Sequence, residues 1–189
     1  MKPITAAFMK GLRGTDEILY DGTPQIAFIG RSNVGKSSVI NALVGSTKLV
    51  KVSDLPGKTT EINVFKTTNK RYLVDLPGYG YARVSPDEKD RIRKLILWYL
   101  VDAKIQNLTV ALILDVKAGF TEFDAQTLDV LRANHHTYLI VANKVDKLSQ
   151  KELSKQLQQI RVASQDADIV LCSTVEKGGI NDLRKALFE

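Results

Sequence analysis

The sequence holds a single cysteine, Cys172, so no disulfide can staple the chain internally, and such sparse use suits a reducing compartment. No apolar run approaches the roughly 18–20 residues that a membrane span requires. The N-terminal stretch MKPITAAFMKGLRGTDEI lacks the apolar core of about 7–15 residues that marks a signal peptide. A cytoplasmic protein is therefore expected. There is no internal repeat, no low-complexity tract and no Pro/Ser-rich linker, so one domain is expected from the 189 residues. Positive charge is not gathered into any tract, although the net charge of +6 leans toward an anionic partner. His135 and His136 have no Cys or acidic ligand pattern beside them, which argues against metal binding there.

What is present alternates. Short β-branched runs are followed by amphipathic stretches, the pattern of βαβ units around a mostly parallel sheet. Strands are expected over 25–29, 62–67, 71–74, 108–114, 137–142 and 168–171. The runs VALILD and YLIVAN are almost wholly apolar, as strands buried on both faces must be. Thr68, Asn69 and Lys70 read as a hairpin turn that makes one edge strand antiparallel. Ser85-Pro86-Asp87-Glu88 and Ser149-Gln150-Lys151-Glu152 each place a capping box at a helix start. In the first of these helices Ile92, Leu95, Ile96 and Tyr99 share one face. Asn181 is expected to cap a last helix whose Leu183, Ala186 and Leu187 face inward. Residues 45–60 and 76–84 lack a period and read as two long functional loops.

Between the QIAFI strand and the SSVINALV helix, GRSNVGKS satisfies G-x-x-x-x-G-K-[ST]. Gly30 and Gly35 let the backbone curl so that successive N–H groups face a β-phosphate, and the helix start adds its positive dipole end. Lys36 reaches the β- and γ-phosphates, and the Ser37 hydroxyl ligates Mg²⁺. Asn143-Lys144-Val145-Asp146 closes a buried strand, where ligands bind in open α/β sheets. A carboxylate at Asp146 can accept from guanine N1–H and the exocyclic amine together. Adenine would leave it unpaired, so the expected ligand is GTP or GDP.

Asp75-Leu76-Pro77-Gly78 matches D-x-x-G after another strand. Asp75 would hold Mg²⁺ directly or through water, and the Gly78 N–H would sense the γ-phosphate. Gly57-Lys58-Thr59-Thr60 lies in the other long loop, where Thr59, or its neighbour Thr60, would complete the Mg²⁺ shell. Ser173 and Thr174 can offer N–H groups to the guanine O6, while Cys172 reads as packing.

The matches go further than a generic GTPase. GRSNVGKSSVINAL at 30–43, PGKTTEINVF at 56–65 and RYLVDLPGYGYARV at 71–84 resemble the EngB (YihA/YsxC) family of bacterial GTPases, over nearly the whole chain. That resemblance implies an α/β three-layer P-loop NTPase G domain over 23–189, with 1–22 an N-terminal extension packed on it. The sheet would be mostly parallel and six-stranded, with one antiparallel edge strand and helices on both faces. The resemblance implies a GTP/GDP switch in assembly of the large (50S) ribosomal subunit, with precursor rRNA and ribosomal proteins as partners. The alternative it carries is a GTP-regulated factor for cell division and septum formation, acting apart from ribosomes. A monomer is expected.

Carried over by position, the nucleotide is lined by Gly30, Arg31, Ser32, Asn33, Val34, Gly35, Lys36, Ser37 and Ser38. Further lining comes from Gly57, Lys58, Thr59, Thr60 and Glu61, then Asp75, Leu76, Pro77 and Gly78. Asn143, Lys144, Val145 and Asp146, with Cys172, Ser173 and Thr174, complete the set. Ser37, Thr59 and Asp75 are the implied metal ligands, and Lys36, Asn33, Thr59 and Gly78 the implied catalytic group.

One position breaks with Ras-like enzymes, where a glutamine after D-x-x-G orients the attacking water. Here it is Tyr79, which carries no amide, so slow intrinsic turnover is expected. Asn33, in a loop of the G-x-x-N-x-G-K-S type, is expected to help coordinate a potassium ion beside the phosphates. The alternative is that Asn33 merely serves the loop's own hydrogen bonding.

Overall fold

This computed structural model of the chain describes residues 3–50, 60–80, 85–165 and 167–189. Gly57, Lys58, Thr59 and Arg83, with the rest of 51–59 and 81–84, lie outside the described residues. Seven strands form one mixed sheet in the order β1-β3-β4-β2-β5-β6-β7. They are β1 (Ala6–Leu12), β2 (Gln25–Gly30), β3 (Ile62–Thr67), β4 (Tyr72–Asp75), β5 (Leu108–Asp115), β6 (Thr137–Asn143) and β7 (Ile169–Cys172). The helices are α1 (Lys36–Leu43), α2 (Pro86–Leu97), α3 (Glu122–Ala133), α4 (Gln150–Ala163) and α5 (Ile180–Phe188).

The period of two along β2 sorts its side chains between two cores. Ile26 and Phe28 face a cluster shared with Val39, Ile40 and Leu43 of α1 and Leu183 and Leu187 of α5. Ala27 and Ile29 face the other cluster, which receives Ile92 and Ile96 of α2, Leu128 and Leu131 of α3 and Ile160 of α4. Both faces of the central strands are thus covered, which is why their sequences are nearly continuous apolar runs.

Two expectations about the sheet are corrected. It has seven strands instead of six, because AAFMKGL forms β1 and pairs antiparallel with β3. The antiparallel β3 is consequently an inner strand, and β1 is the edge. Four of β1's residues, Ala7, Phe8, Met9 and Lys10, are exposed in succession, so its sequence shows no alternation to read. The N-terminal segment is also fastened by side chains. The Tyr72 hydroxyl donates to Asp21 at 2.7 Å, and the buried Gln25 amide donates to the Leu19 carbonyl at 2.8 Å.

The hairpin turn stands as expected, with Thr67 N–H on the Arg71 carbonyl at 2.9 Å. Ser149 and Glu152 form the expected reciprocal box, whereas at α2 only the Ser85 half forms, accepting from Glu88 N–H at 3.2 Å. Asn181 lies inside α5. The cap is Gly179, whose φ of 71° and whose would-be Cβ, 1.8 Å from the Leu171 carbonyl oxygen, exclude any side chain. Ala186 is exposed, since the inward stripe of α5 runs through Ile180, Leu183 and Leu187. Among the described residues no helix is long and apolar enough to cross a membrane.

Candidate nucleotide-binding site

The sequence motifs converge because β2, β4, β5, β6 and β7 all run parallel and their carboxyl ends lie along one edge of the sheet. Residues 30–38 leave β2, 75–78 leave β4, 143–146 leave β6 and 172–174 leave β7. This is where an open α/β sheet presents its ligand crevice.

The loop 30–35 turns into α1 through Gly35, which has φ 92°. A Cβ on Gly35 would lie 2.4 Å from the Asn143 amide nitrogen, so the glycine is required by a close approach as well as by its dihedral. That approach has a purpose. The Asn143 amide donates to the Val34 carbonyl at 2.8 Å, tying the end of β6 to the loop. Lys144 makes a second tie, its ammonium donating to the Asn33 carbonyl at 2.6 Å and to Asp115 at 2.6 Å. Asn33 itself has φ 65°, a left-handed conformation that asparagine tolerates better than most residues.

Lys36 and Asp75 are both buried, at 8% and 0% exposure, and form an ion pair across the cradle. The second Asp75 oxygen is buried with no hydrogen-bond partner among the described residues. Such an oxygen fits a hard divalent cation. Among the described residues no group of three or more His, Cys, Asp or Glu could hold a metal alone. A cation here would rest on Asp75, the Ser37 hydroxyl at the start of α1, and phosphate oxygens, the sparse protein ligation that Mg²⁺ accepts.

At the far end, the Ser173 hydroxyl donates to Asp146 at 2.6 Å and accepts from Glu176 N–H at 3.1 Å. It fixes one carboxylate oxygen of Asp146. Cys172 is fully buried beneath, and burial, with the Asp146 charge second, pushes its thiol up to about 11, so it stays a neutral packing group. Thr174 is half-buried in the turn that follows.

Tyr79 is held in three places. Its N–H donates to the Gly30 carbonyl at 3.3 Å, its carbonyl accepts from Ser32 N–H at 2.9 Å, and its hydroxyl donates to Asp124 at 2.6 Å. The Glu61 carboxylate, just before β3, pairs with Arg13 at 2.7 Å. Thr60 is half-buried just before β3. Asp115 and Asp124 were not legible as site residues. The one signal for Asp115 was a carboxylate closing an apolar strand at the crevice edge.

The 50S ribosome-binding GTPase family model matches residues 25–144. A probable GTP-binding protein EngB from Solibacter usitatus is 45% identical over 164 residues, covering 85% of this chain and 84% of the relative. Its counterpart in Aquifex aeolicus is 41% identical over 160 residues, covering 85% and 87%. A crystal structure of a probable GTP-binding protein EngB has the same fold, with a TM-score of 0.73 at 24% identity over 87% of this chain and 96% of that one.

Proposed function

This chain belongs to the EngB family of GTP-binding proteins and carries its P-loop GTPase domain, and we propose that it is a slow GTPase serving as a GTP/GDP switch in assembly of the large ribosomal subunit. The observation that carries the nucleotide assignment is the joining of the two ends of the crevice. Asn143 and Lys144 are bonded to the P-loop carbonyls of Val34 and Asn33, so the base-reading segment and the phosphate cradle are one rigid unit. Asp146, with one oxygen held by Ser173, presents its other oxygen's lone pairs for guanine N–H donors.

In this reading the loop N–H groups and the α1 start bind the β-phosphate. Lys36 would turn from Asp75 to the phosphates, and Asp75 and Ser37 would hold Mg²⁺, with Thr59 or Thr60 completing its shell in the GTP state. Bound Mg²⁺ supplies charge neutralisation on the β- and γ-phosphate oxygens. The Gly78 N–H reports the γ-phosphate. Tyr79 has no amide with which to align water, which sets slow intrinsic turnover; the Asn33 side-chain oxygen would help hold a potassium ion, which would supply positive charge beside the phosphates.

Ribosomal action is supported by the family model's own description and by the net charge of +6. Arg91, Arg93 and Lys94 stand exposed on α2, close in sequence to the second switch, and suit contact with rRNA phosphates. The protein acts as a cytoplasmic monomer in this reading. Sedimentation of cell extract tests it. The chain should travel with large-subunit particles in the presence of a non-hydrolysable GTP analogue and leave them with GDP. Failure to co-migrate in either state would sink the ribosomal role.

A further inference from the structure

Asp124 is 1% exposed at the first turn of α3, yet it carries a carboxyl group, and it lies outside every nucleotide motif of the sequence. A buried carboxylate is costly unless its lone pairs are filled. One Asp124 oxygen accepts from the Thr121 N–H at 2.8 Å and the Thr121 hydroxyl at 2.6 Å, which makes the capping box of α3. The other accepts from the Tyr79 hydroxyl at 2.6 Å. A single side-chain oxygen would complete the helix start; the second oxygen is committed to Tyr79. Burial, followed by the Asp124 charge, raises the Tyr79 phenol well above its usual range, so the hydroxyl remains a donor.

The backbone of the same tyrosine is bridged to the P-loop through Gly30 and Ser32. Its ring also lies against Phe123, with centroids 6.2 Å apart. Tyr79 is therefore clamped on one side by the phosphate loop and on the other by α3. Gly78 is its immediate neighbour, and the γ-phosphate contact proposed above belongs to the Gly78 N–H. A peptide group fixed in advance loses less entropy when it binds, and that gain falls only on the nucleotide that reaches it.

We propose that Tyr79 and Asp124 act as a positioning pair that fixes the Gly78 N–H for the γ-phosphate and so raises the affinity of this chain for GTP relative to GDP. The inference rests on the GTPase assignment above. The test is the equilibrium affinity of Tyr79→Phe, Asp124→Asn and the double variant for GDP and for a non-hydrolysable GTP analogue, both with Mg²⁺. Loss of one buried hydrogen bond should weaken the analogue about fivefold in Tyr79→Phe while GDP moves less than about twofold. Asp124→Asn, whose amide can still bond the Tyr79 hydroxyl, should shift the ratio no more than Tyr79→Phe does, and the double variant should shift it no further than Tyr79→Phe alone, because one interaction is at stake.

Equal weakening of both nucleotides in Tyr79→Phe would overturn the pair's role and leave the GTPase assignment standing. Tighter binding of the analogue would overturn it as well, since the pair would then oppose the GTP arrangement. A wild-type chain that binds neither guanine nucleotide would overturn the function proposed above and this inference with it.

Discussion

The Lys36 ammonium is paired with the Asp75 carboxylate in the buried mouth of the phosphate loop, across 39 residues of sequence. Desolvation makes each charge dependent on the other, and removal of one leaves its partner buried and uncompensated. Lys36→Ala, unfolded by urea without nucleotide, should therefore be less stable than the wild type by about 3 kcal/mol. It should also lose most of its nucleotide affinity. An unchanged urea midpoint would show that the pair contributes nothing to the fold in solution.

The guanine end makes a prediction of exchange instead of loss. In Asp146→Asn the oxygen bonded by Ser173 can be kept, which turns the amide nitrogen toward the position of the second carboxylate oxygen. That nitrogen repels the donors of guanine and can donate to the C2 oxygen of xanthine. GDP affinity should fall by about 100-fold or more, and XDP should bind better than GDP. Titration of both nucleotides against the variant decides it, and a parallel loss of both would remove Asp146 from base recognition.

The phosphate loop, the NKVD segment and DLPG were legible because each is a local string whose spacing states its chemistry. The central strands were legible because burial on both faces leaves apolar runs. β1 was not, since Ala7, Phe8, Met9 and Lys10 are all exposed and its partners in β3 lie 50 to 61 residues downstream, in the register Ala6 to Thr67 through Leu12 to Ile62. The α5 cap was misplaced because Asn181 has the side chain of a cap, whereas Gly179 is selected by backbone crowding against Leu171 that only the fold creates. Asp115 and Asp124 look in sequence like a strand-end and a helix-start carboxylate. Their partners, Lys144 and the Tyr79 hydroxyl, stand 29 and 45 residues away and are joined to them only by the sheet's topology. Tyr79 stands out in the sequence for the amide it lacks, whereas in the fold its hydroxyl is bonded to Asp124.

Cys172 predicts a pH dependence whose sign follows from its shift. Its thiol ionises near 9.0 in an unfolded chain and near 11 in the folded one, where burial and then Asp146 oppose the thiolate. The unfolded state therefore holds fewer protons than the folded state between these values, and stability falls as pH rises through that window. Below pH 9.0 the full contribution is present. Tyrosines add to the alkaline loss, so the informative quantity is a difference. The urea midpoint of the wild type should drop more between pH 8.5 and 10.5 than that of Cys172→Ala, whose unfolded chain has no thiol to ionise there. Identical slopes would mean that Cys172 titrates alike in both states.

Asn33 carries two demands that one substitution can separate. Its φ of 65° asks for a residue that accepts the left-handed region, and its carbonyl is engaged by Lys144 at 2.6 Å. The dihedral alone would explain an asparagine without any role for its side chain, and the bond from Lys144 uses a backbone carbonyl that any residue supplies. Asn33→Gly keeps the conformation and the carbonyl but removes the amide, whereas Asn33→Ala removes the amide and adds strain of about 1 kcal/mol. If the amide oxygen helps hold potassium beside the phosphates, GTP turnover of the wild type should be faster in potassium chloride than in matched sodium chloride. Asn33→Gly should then bind GDP as the wild type does and turn over at one rate in both salts. A glycine variant that retains the potassium response would assign Asn33 to loop geometry alone. Equal wild-type rates in the two salts would remove a specific role for potassium at Asn33.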